Sequence, residues 1–512
     1  MSISNARKWG SLAVCCLANL LIAIDMTVLH LAMPRLLEDL QPSASEFLWI
    51  SDVYGFALAG LLITMGNLGD RIGRKKLLLI GSAVFGCASV LTAFAPSPEL
   101  LIAARALLGV SAATLMPSTL SLLRNVFTDP KERTAAIGLW SGVVILGFGA
   151  GPVIAGSLLA EFWWGSVFLV NVPVVLVILV AGALVLPESR NPAPHRLDPL
   201  SVLLSVAGMV GVVYAVKEIA YQGFDRPDVL VAVVVGIGGL GLFLRRQSTL
   251  AQPLVDVRLF RQRAFSATVG TTMIAMFAQL AMSLAFAQYF QLVAGWSPLQ
   301  AGLAGLPGMA GALVGGVLAG VGVQRLGRGP TVAVGLALSA LGFGWIAQVG
   351  VVLDYPYLVV GMVVSGTGLA LTLTVATDTV LATVPKQRAG AASAISETAT
   401  ELGGALGIAI LGTVLGAVYR GALNLPAGVP AEAVAPIRDS LGSATVTAAG
   451  LPAQLGGPVL ETARESFVTG MQVTMYCSAG LGALLAVSAL FTLRGLPKVI
   501  EEPTETPVPA AT

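Results

Sequence analysis

Residues 66–76 read GNLGDRIGRKK, a short polar and basic loop. Apolar stretches lie on both sides of this loop, one near residues 47–66 and the other near residues 77–95. An α-helix needs about 20 mostly apolar residues to cross the hydrocarbon layer of a bilayer. The sequence therefore predicts a hairpin of two membrane-spanning helices joined by a loop that carries Gly, Asp and Arg.

The composition extends this prediction to the whole chain. Of its 512 residues, 56% are hydrophobic and only 11% are charged, against roughly a quarter charged in soluble proteins. So few charges cannot cover a soluble surface, and apolar stretches of spanning length recur fourteen times along the sequence. We predict an all-α polytopic membrane protein with fourteen transmembrane helices.

The basic residues support an even number of helices. Loops rich in Lys and Arg stay on the cytoplasmic side of a membrane. With fourteen helices and both termini in the cytoplasm, most of the 29 Lys and Arg residues fall on that side. An odd number of helices would mix the two sides, so we expect both termini to be cytoplasmic.

Several classes of protein are excluded. A net charge of +2 provides no field for nucleic acid. The 4 cysteines lie in apolar stretches and the 2 histidines are far apart, so we expect neither a metal site nor a disulfide framework. We find no nucleophile–base set and no phosphate-binding loop of the Walker type. We therefore expect a protein that is not an enzyme, has no cofactor and uses the proton-motive force.

The polar loop has a second copy in the chain. Residues 66–74 align with residues 320–328 at a constant offset of 254, with Gln324 in place of Asp70. Chance similarity between two basic loops is the alternative interpretation. Repeated halves around a central site are typical of secondary transporters, so we predict two six-helix halves whose loops are not equivalent. The predicted units are an N-terminal half 1–190, two inserted helices with a basic cytoplasmic linker 191–263, a C-terminal half 264–494 with an external loop 419–465, and a disordered cytoplasmic tail 495–512.

Several motifs in the chain resemble the motifs of a known protein family. The loop Gly66-x-Leu-Gly-Asp70-Arg71-x-Gly73-Arg74 resembles the signature loop of the major facilitator superfamily. The series Gly147-x-Gly-x-Gly151-Pro152-x-x-x-Gly156 resembles that superfamily's antiporter motif, with Ala155 where the motif usually has Gly. The sequences around Asp25 and around Trp49 to Tyr54 resemble its fourteen-helix drug/proton antiporter branch, above all the quaternary-ammonium and methyl-viologen efflux pumps.

The resemblance implies a function. It implies a proton-coupled antiporter that exports lipophilic cationic drugs, dyes and quaternary ammonium compounds from the cytoplasm by alternating access. The alternative is an exporter of one physiological solute, such as an antibiotic, a siderophore or a lipid precursor, on the same fold. The expected partners are protons, lipophilic monovalent organic cations and membrane lipids. We expect a monomer in the bacterial cytoplasmic (inner) membrane.

Two acids are the first candidates for proton coupling. Glu397 and Glu401 lie in one apolar stretch at a spacing that places both carboxyl groups on the same face of a helix. Two close carboxylates in a low dielectric repel each other, so at least one should hold a proton until a cation displaces it. The alternative is a pair of acids that line a wet crevice without coupling. The resemblance supports coupling, because related pumps carry acids at the matching positions.

A second charged set is predicted in the N-terminal six-helix unit, towards the external side of the membrane. Asp25, Asp52 and Arg105 lie at similar depths, and a buried Arg needs counter-charges. The alternative for both acids is a purely structural ion pair. The resemblance implies that Asp25 carries protons or substrate and that Arg105 modulates it. We place Asp378 at the cytoplasmic rim, in contact with water, although a functional role stays open.

The motifs predict a gate and a packing surface. We expect Asp70 to accept hydrogen bonds from backbone N–H groups, and Arg71 and Arg74 to face lipid phosphates and partner carboxylates. The resemblance implies that this loop, with Gly66 and Gly73, closes the cytoplasmic side in one state. The glycines of the antiporter motif remove side chains along one strip, which lets another helix approach closely.

Aromatic and methionine side chains are candidates for a substrate cavity. Rings attract organic cations and Met adapts to varied shapes. Each of these residues also fits a position in the core or against lipid. No acid follows Leu306-Pro307 before the next helix, so we expect monovalent rather than divalent cations. The candidates are Tyr54, Met116, Trp140, Phe286, Tyr289 and Met309.

Overall fold

The computed structural model describes residues 4–42, 44–189, 198–222, 226–250, 253–384, 389–494 and 496. Within these residues all regular structure is helical, and fourteen segments are long and apolar enough to cross a membrane. The predicted number of spans is therefore confirmed. In chain order the α-helices are α1 Asn5–Leu40, α2 Ala44–Ile72, α3 Arg74–Ala93, α4 Pro98–Val126, α5 Pro130–Glu161, α6 Ser166–Leu169, α7 Asn171–Val185, α8 Pro199–Gln222, α9 Pro227–Thr249, α10 Arg263–Gln288, α11 Pro298–Leu303, α12 Leu306–Leu326, α13 Arg328–Ile346, α14 Tyr355–Ala382, α15 Ala389–Ala422, α16 Ala431–Asp439, α17 Leu441–Ala449 and α18 Ala453–Thr492.

Side-chain caps followed by proline start several of the spans. Ser97 accepts a hydrogen bond from the backbone N–H of Leu100 at the start of α4, and Asp129 accepts from two N–H groups at the start of α5. The first helical residue is a proline in both helices. A cap satisfies N–H groups that have no partner inside the helix, and proline loses nothing at this position. These local signals separate one span from the next.

The spans form two groups of helices with a hairpin between them. The first helix group is α1–α7, the insert hairpin is α8–α9, and the second helix group is α10–α18. The two groups meet where α5 packs on α12 and where α2 packs on α15. Helix α8 packs on both α2 and α15, so the insert hairpin covers that second interface from one side. Below, the terminal face is the end of the bundle at which α1 begins.

The contact between α5 and α12 is close enough to need glycine on both helices. A Cβ atom on Gly138 would collide with the carbonyl oxygen of Gly316, and a Cβ atom on Gly316 would lie 2.7 Å from the carbonyl oxygen of Gly138. Small residues let helix backbones approach in a membrane, where packing replaces the hydrophobic effect as the driving force. The two helix groups therefore touch backbone to backbone at this crossing.

The insert hairpin is tied at its terminal end. Arg246 of α9 donates two hydrogen bonds to Asp198, at 2.6 and 3.1 Å. Asp198 precedes α8 and also accepts from Ser201. Hydrogen bonds from Arg246 and then from Ser201 hold the pKa of Asp198 below its usual range. The linker that follows contains a short 3-10 helix at Val257–Arg261.

Much of the predicted external loop 419–465 is helical. Helix α15 continues to Ala422 and α18 already begins at Ala453, so both outlast the apolar stretches that define their spans. Helices α16 and α17 lie between them and pack on α15, α18 and the π-helical turn Tyr289–Val293. The Tyr419 hydroxyl donates to the carbonyl oxygen of Ile437 at 2.7 Å, and both residues are buried. Apart from Leu496, the predicted tail 495–512 lies outside the described residues.

Candidate functional site

Asp25 lies inside the first helix group with three polar partners. The side chain is fully buried. Arg105 of α4 lies 3.3 Å from one carboxylate oxygen, and Asn171 of α7 donates to the other at 3.0 Å. The same amide nitrogen lies 3.1 Å from the Ser89 hydroxyl of α3. An opposite charge and a hydrogen bond compensate a carboxylate that has lost its water. The pairing of Asp25 with Arg105 agrees with the predicted charge balance, and Asp52 is half-buried on α2.

The antiporter motif supports the part of α1 that carries Asp25. A Cβ atom on Gly147 would lie 2.5 Å from the Cβ atom of Ala23, and a Cβ atom on Gly151 would collide with the Thr27 side chain. These two contacts lie on either side of Asp25 along the helix. The motif is therefore a packing surface for α1, as its glycines predict. The side chain of Pro152 lies outside the described part of the structure, and Gly156 is half-buried.

Replacing Gly151 by Val is expected to displace α1 and with it Asp25. Forcing added carbon atoms into a packed contact costs about 1–3 kcal/mol. We expect a lower melting temperature in detergent and a loss of transport, measured on purified protein and in vesicles. Gly238→Val is the matched control, because a Cβ atom there meets nothing within 4 Å. Equal behaviour of the two variants would contradict the packing role.

Glu397 and Glu401 lie on the second helix group, one turn apart on α15. Glu397 is 7% exposed and Glu401 is half-buried. Helix α15 packs on α2 and α4 of the first helix group. The two predicted coupling acids therefore belong to the helix that forms one of the contacts between the groups. Neither acid lies in the exposed part of that helix.

Tyr54 of α2 connects the two sets of charges in space. The Arg105 guanidinium carbon lies 4.9 Å from the centre of the Tyr54 ring. The hydroxyl also interacts electrostatically with Asp25 and Arg105 of the first helix group and with Glu401 of the second. Tyr54, one of the predicted cavity residues, therefore contacts the charged site directly.

The other predicted cavity residues divide into separate clusters. Met116 and Trp140 belong with Tyr54 to the apolar core of the first helix group, and Phe286 and Tyr289 belong to a core of the second. The Tyr289 hydroxyl donates to the carbonyl oxygen of Gly350, between α13 and α14. Met309 lies opposite Gly149 at the contact between α12 and α5. These side chains thus lie in the cores of both helix groups and at the contact between them.

The two copies of the polar loop share their backbone. Gly73 and Gly327 have φ angles of 110° and 92°, a region that favours glycine. Each precedes a helix whose first residue is a buried arginine, Arg74 or Arg328. Gly73 and Gly327, which are related by the offset of 254 residues, therefore have the same backbone conformation.

The first copy holds its arginine inside the protein. Arg74 donates two hydrogen bonds to one carboxylate oxygen of Asp70, at 2.8 and 2.6 Å. It is 2% exposed and its backbone N–H donates to the carbonyl oxygen of Ser189. The expectation that Arg74 faces lipid phosphates is wrong, because the charge of Asp70 and the turn at Gly73 draw it inward. Arg71 is exposed, as expected, and Gly66 is buried.

The placement of Asp378 at a wet rim is also wrong. Asp378 of α14 is fully buried between two arginines. Arg133 of α5 donates to one carboxylate oxygen at 2.6 Å, and Arg328 donates to the other at 2.7 Å. The hydroxyls of Thr134 and Thr379 complete the site. Below, the buried triad is Arg133, Asp378 and Arg328, and it joins the two helix groups near the terminal face.

The sequence contains a signal for the buried triad that the motifs do not reveal. The second copy of the loop lacks the acid of the first, because Gln324 replaces Asp70. Its arginine, Arg328, instead pairs with Asp378. At the offset of 254, Asp378 aligns with Arg124 of α4, which is also buried and donates to the carbonyl oxygen of Val384. In both copies the arginine pairs with an acid, but the acid lies on α2 in the first copy and on α14 in the second.

Asn171 and Ser89 were also missed by sequence reasoning. Neither is ionisable, and neither belongs to a motif. The available signal is a single Asn in the apolar stretch 167–186, since a polar side chain at membrane depth needs a partner.

A bundle of fourteen apolar helices in two groups, with ion pairs buried at membrane depth, is typical of secondary transporters. A model of the Major Facilitator Superfamily matches residues 15–408, and the chain belongs to this superfamily. The multidrug efflux pump LfrA of Mycolicibacterium smegmatis is 43% identical over 484 residues, which cover 94% of this chain and 95% of the relative. The methyl viologen resistance protein SmvA of Salmonella typhimurium is 37% identical over 487 residues, 95% of this chain and 98% of the relative. The crystal structure of the human organic anion transporter MFSD10 has a TM-score of 0.60 at 15% identity, covers 93% of this chain and 99% of its own, and shares the fold.

Proposed function

We propose that this protein is a proton-coupled antiporter that exports lipophilic monovalent organic cations. The observation that carries the proposal is the arrangement of buried acids on both helix groups, with Asp25 on α1 and Glu397 on α15. The names of LfrA and SmvA, a multidrug pump and a methyl viologen resistance protein, support this substrate class. We place the protein in a bacterial cytoplasmic membrane with both termini in the cytoplasm.

The acids supply the coupling chemistry. A carboxyl group in a low dielectric prefers the neutral, protonated form unless a cation is near. An organic cation next to Glu397 and Glu401 stabilises the ionised forms and displaces protons. When the cation leaves on the outer side, the acids take up protons again and the empty carrier returns. Proton and cation thus compete for the same carboxylates.

The buried triad acts as the cytoplasmic gate in this proposal. Arg133 belongs to the first helix group, whereas Asp378 and Arg328 belong to the second. The structure corresponds to a state in which the groups are joined at the terminal face. Opening towards the cytoplasm requires that Arg133 leave Asp378, while Arg328 stays with Asp378 inside the second helix group. The remaining pair keeps the acid compensated when the gate opens.

Exchange in reconstituted vesicles tests the proposal. Vesicles with an acidic lumen are expected to accumulate ethidium, and an uncoupler should abolish the accumulation. Two acids release up to two protons per cation, so net charge moves and a membrane potential alone should also drive uptake, at about 2.3 kcal/mol per charge per 100 mV. Asp25→Asn is the negative control and should abolish exchange; because it also leaves Arg105 without its carboxylate, the two proteins are compared at equal amounts in the membrane. No accumulation by the wild-type protein under either gradient would refute the proposed function.

A further inference from the structure

The hydroxyl of Tyr54 is buried without a hydrogen-bond partner. Tyr54 is 2% exposed, and its oxygen has no partner within the described residues. Buried polar groups are almost always paired in folded proteins, and an exception calls for an explanation. A partner that is present in another state of the protein is one such explanation.

The ring of Tyr54 is already part of the Asp25 site. Arg105 lies over the ring, at 4.9 Å from its centre, and donates at 3.4 Å to the carbonyl oxygen of Ile50, one turn earlier on α2. The same guanidinium pairs with Asp25. A cation over the face of a tyrosine ring is attracted to it. The position of the Arg105 guanidinium therefore depends on the Tyr54 ring.

The hydroxyl of Tyr54 is within electrostatic range of charged groups on both helix groups. Among the described residues, the charged groups that act on it are Asp25, Arg105 and Glu401. Glu401 belongs to α15, which packs on α2. Tyr54 is thus within electrostatic reach of an acid of each helix group, on a helix that forms part of the interface between the groups.

We infer that Tyr54 is a positioning residue that links the two carboxylate sites. The inference rests on the proposed proton-coupled exchange. When Glu401 has lost its proton and the interface between α2 and α15 shifts, the Tyr54 hydroxyl donates a hydrogen bond to the Glu401 carboxylate. The ring moves with the hydroxyl and carries Arg105 relative to Asp25. The ionisation of one site is thereby transmitted to the other without direct contact between the acids.

The test compares two variants with a control. Tyr54→Phe keeps the ring under Arg105 and removes only the hydroxyl, whereas Tyr54→Leu removes both. Tyr214→Phe removes a hydroxyl that donates to Asp228 on the insert hairpin while the ring stays against Phe56 of α2, and it serves as the control. Ethidium binding and ethidium–proton exchange are measured in vesicles across a range of pH.

For Tyr54→Phe we expect ethidium binding to match the wild type at alkaline pH, where Glu401 is ionised in both proteins, and a rate of exchange near neutral pH that is about tenfold lower, the scale of one hydrogen bond to a charged group. Loss of the donor disfavours the ionised form of Glu401, so the pH at which exchange is half-maximal should rise by about one unit. Tyr54→Leu should lose exchange entirely, and Tyr214→Phe should match the wild type. An unchanged rate and pH profile in Tyr54→Phe, with an active wild type, would overturn the inference alone. An inactive wild type would instead refute the proposed function.

Discussion

Replacing Glu397 by Gln is expected to abolish proton-driven efflux of ethidium. Glutamine resembles the protonated acid in shape but cannot release a proton or carry the negative charge that attracts a cation. Glu397 is buried next to the half-buried Glu401 on the helix that contacts the first group. We expect a rate lower by about 100-fold or more, the scale on which an essential proton-transfer group acts. The measurement is uncoupler-sensitive ethidium efflux from cells of a pump-deficient host.

The controls separate coupling from folding. Glu461→Gln changes the same residue type on α18, where the side chain is exposed, and efflux should stay at the wild-type rate. Glu401→Gln is expected to keep some cation binding through Glu397 while the potential-driven part of transport disappears. Wild-type efflux in Glu397→Gln, at equal amounts of protein in the membrane, would remove this acid from the mechanism.

Replacing Asp378 by Asn should have the second largest effect, and this effect is on stability. The change leaves Arg133 and Arg328 buried without the carboxylate that lies 2.6 and 2.7 Å from them. Removing one partner of a buried ion pair costs about 3–5 kcal/mol, because the remaining charge stays desolvated. We expect poor accumulation in the membrane and a markedly lower melting temperature of the purified protein.

Asp354→Asn is the matched control for this prediction. Asp354 is an exposed acid that caps the N-terminus of the same helix, α14, and accepts from the backbone N–H of Tyr357. Asn caps helices about as well as Asp, so the melting temperature should barely change. If the Asp378 and Asp354 variants were equally stable, the buried triad would not contribute to the stability of the closed terminal face.

The sequence determined the spans and part of the charged site. The length of the apolar stretches and the distribution of Lys and Arg were sufficient to predict fourteen helices, because the thickness and chemistry of the bilayer dictate both features. The spacing of Glu397 and Glu401 placed both on one helix face, because the helical repeat is a local property. The pairing of Arg105 with Asp25 followed from depth and charge, as a buried arginine needs a counter-charge.

Only the tertiary structure decided which helices surround each polar group. The sequence gives only the position of Asp378 along its helix, and from that position we expected it at the rim. The packing of α5 and α13 against α14 buries Asp378 between two arginines. The packing of α7 on α1 brought Asn171 to Asp25, and the turn at Gly73 placed Arg74 against Asp70. Sequence alone thus determined how far each residue lies along its helix and what charge it carries. The neighbour that compensates the charge depends on the rotation and contact of whole helices, which arise from many weak packing interactions distributed over the chain.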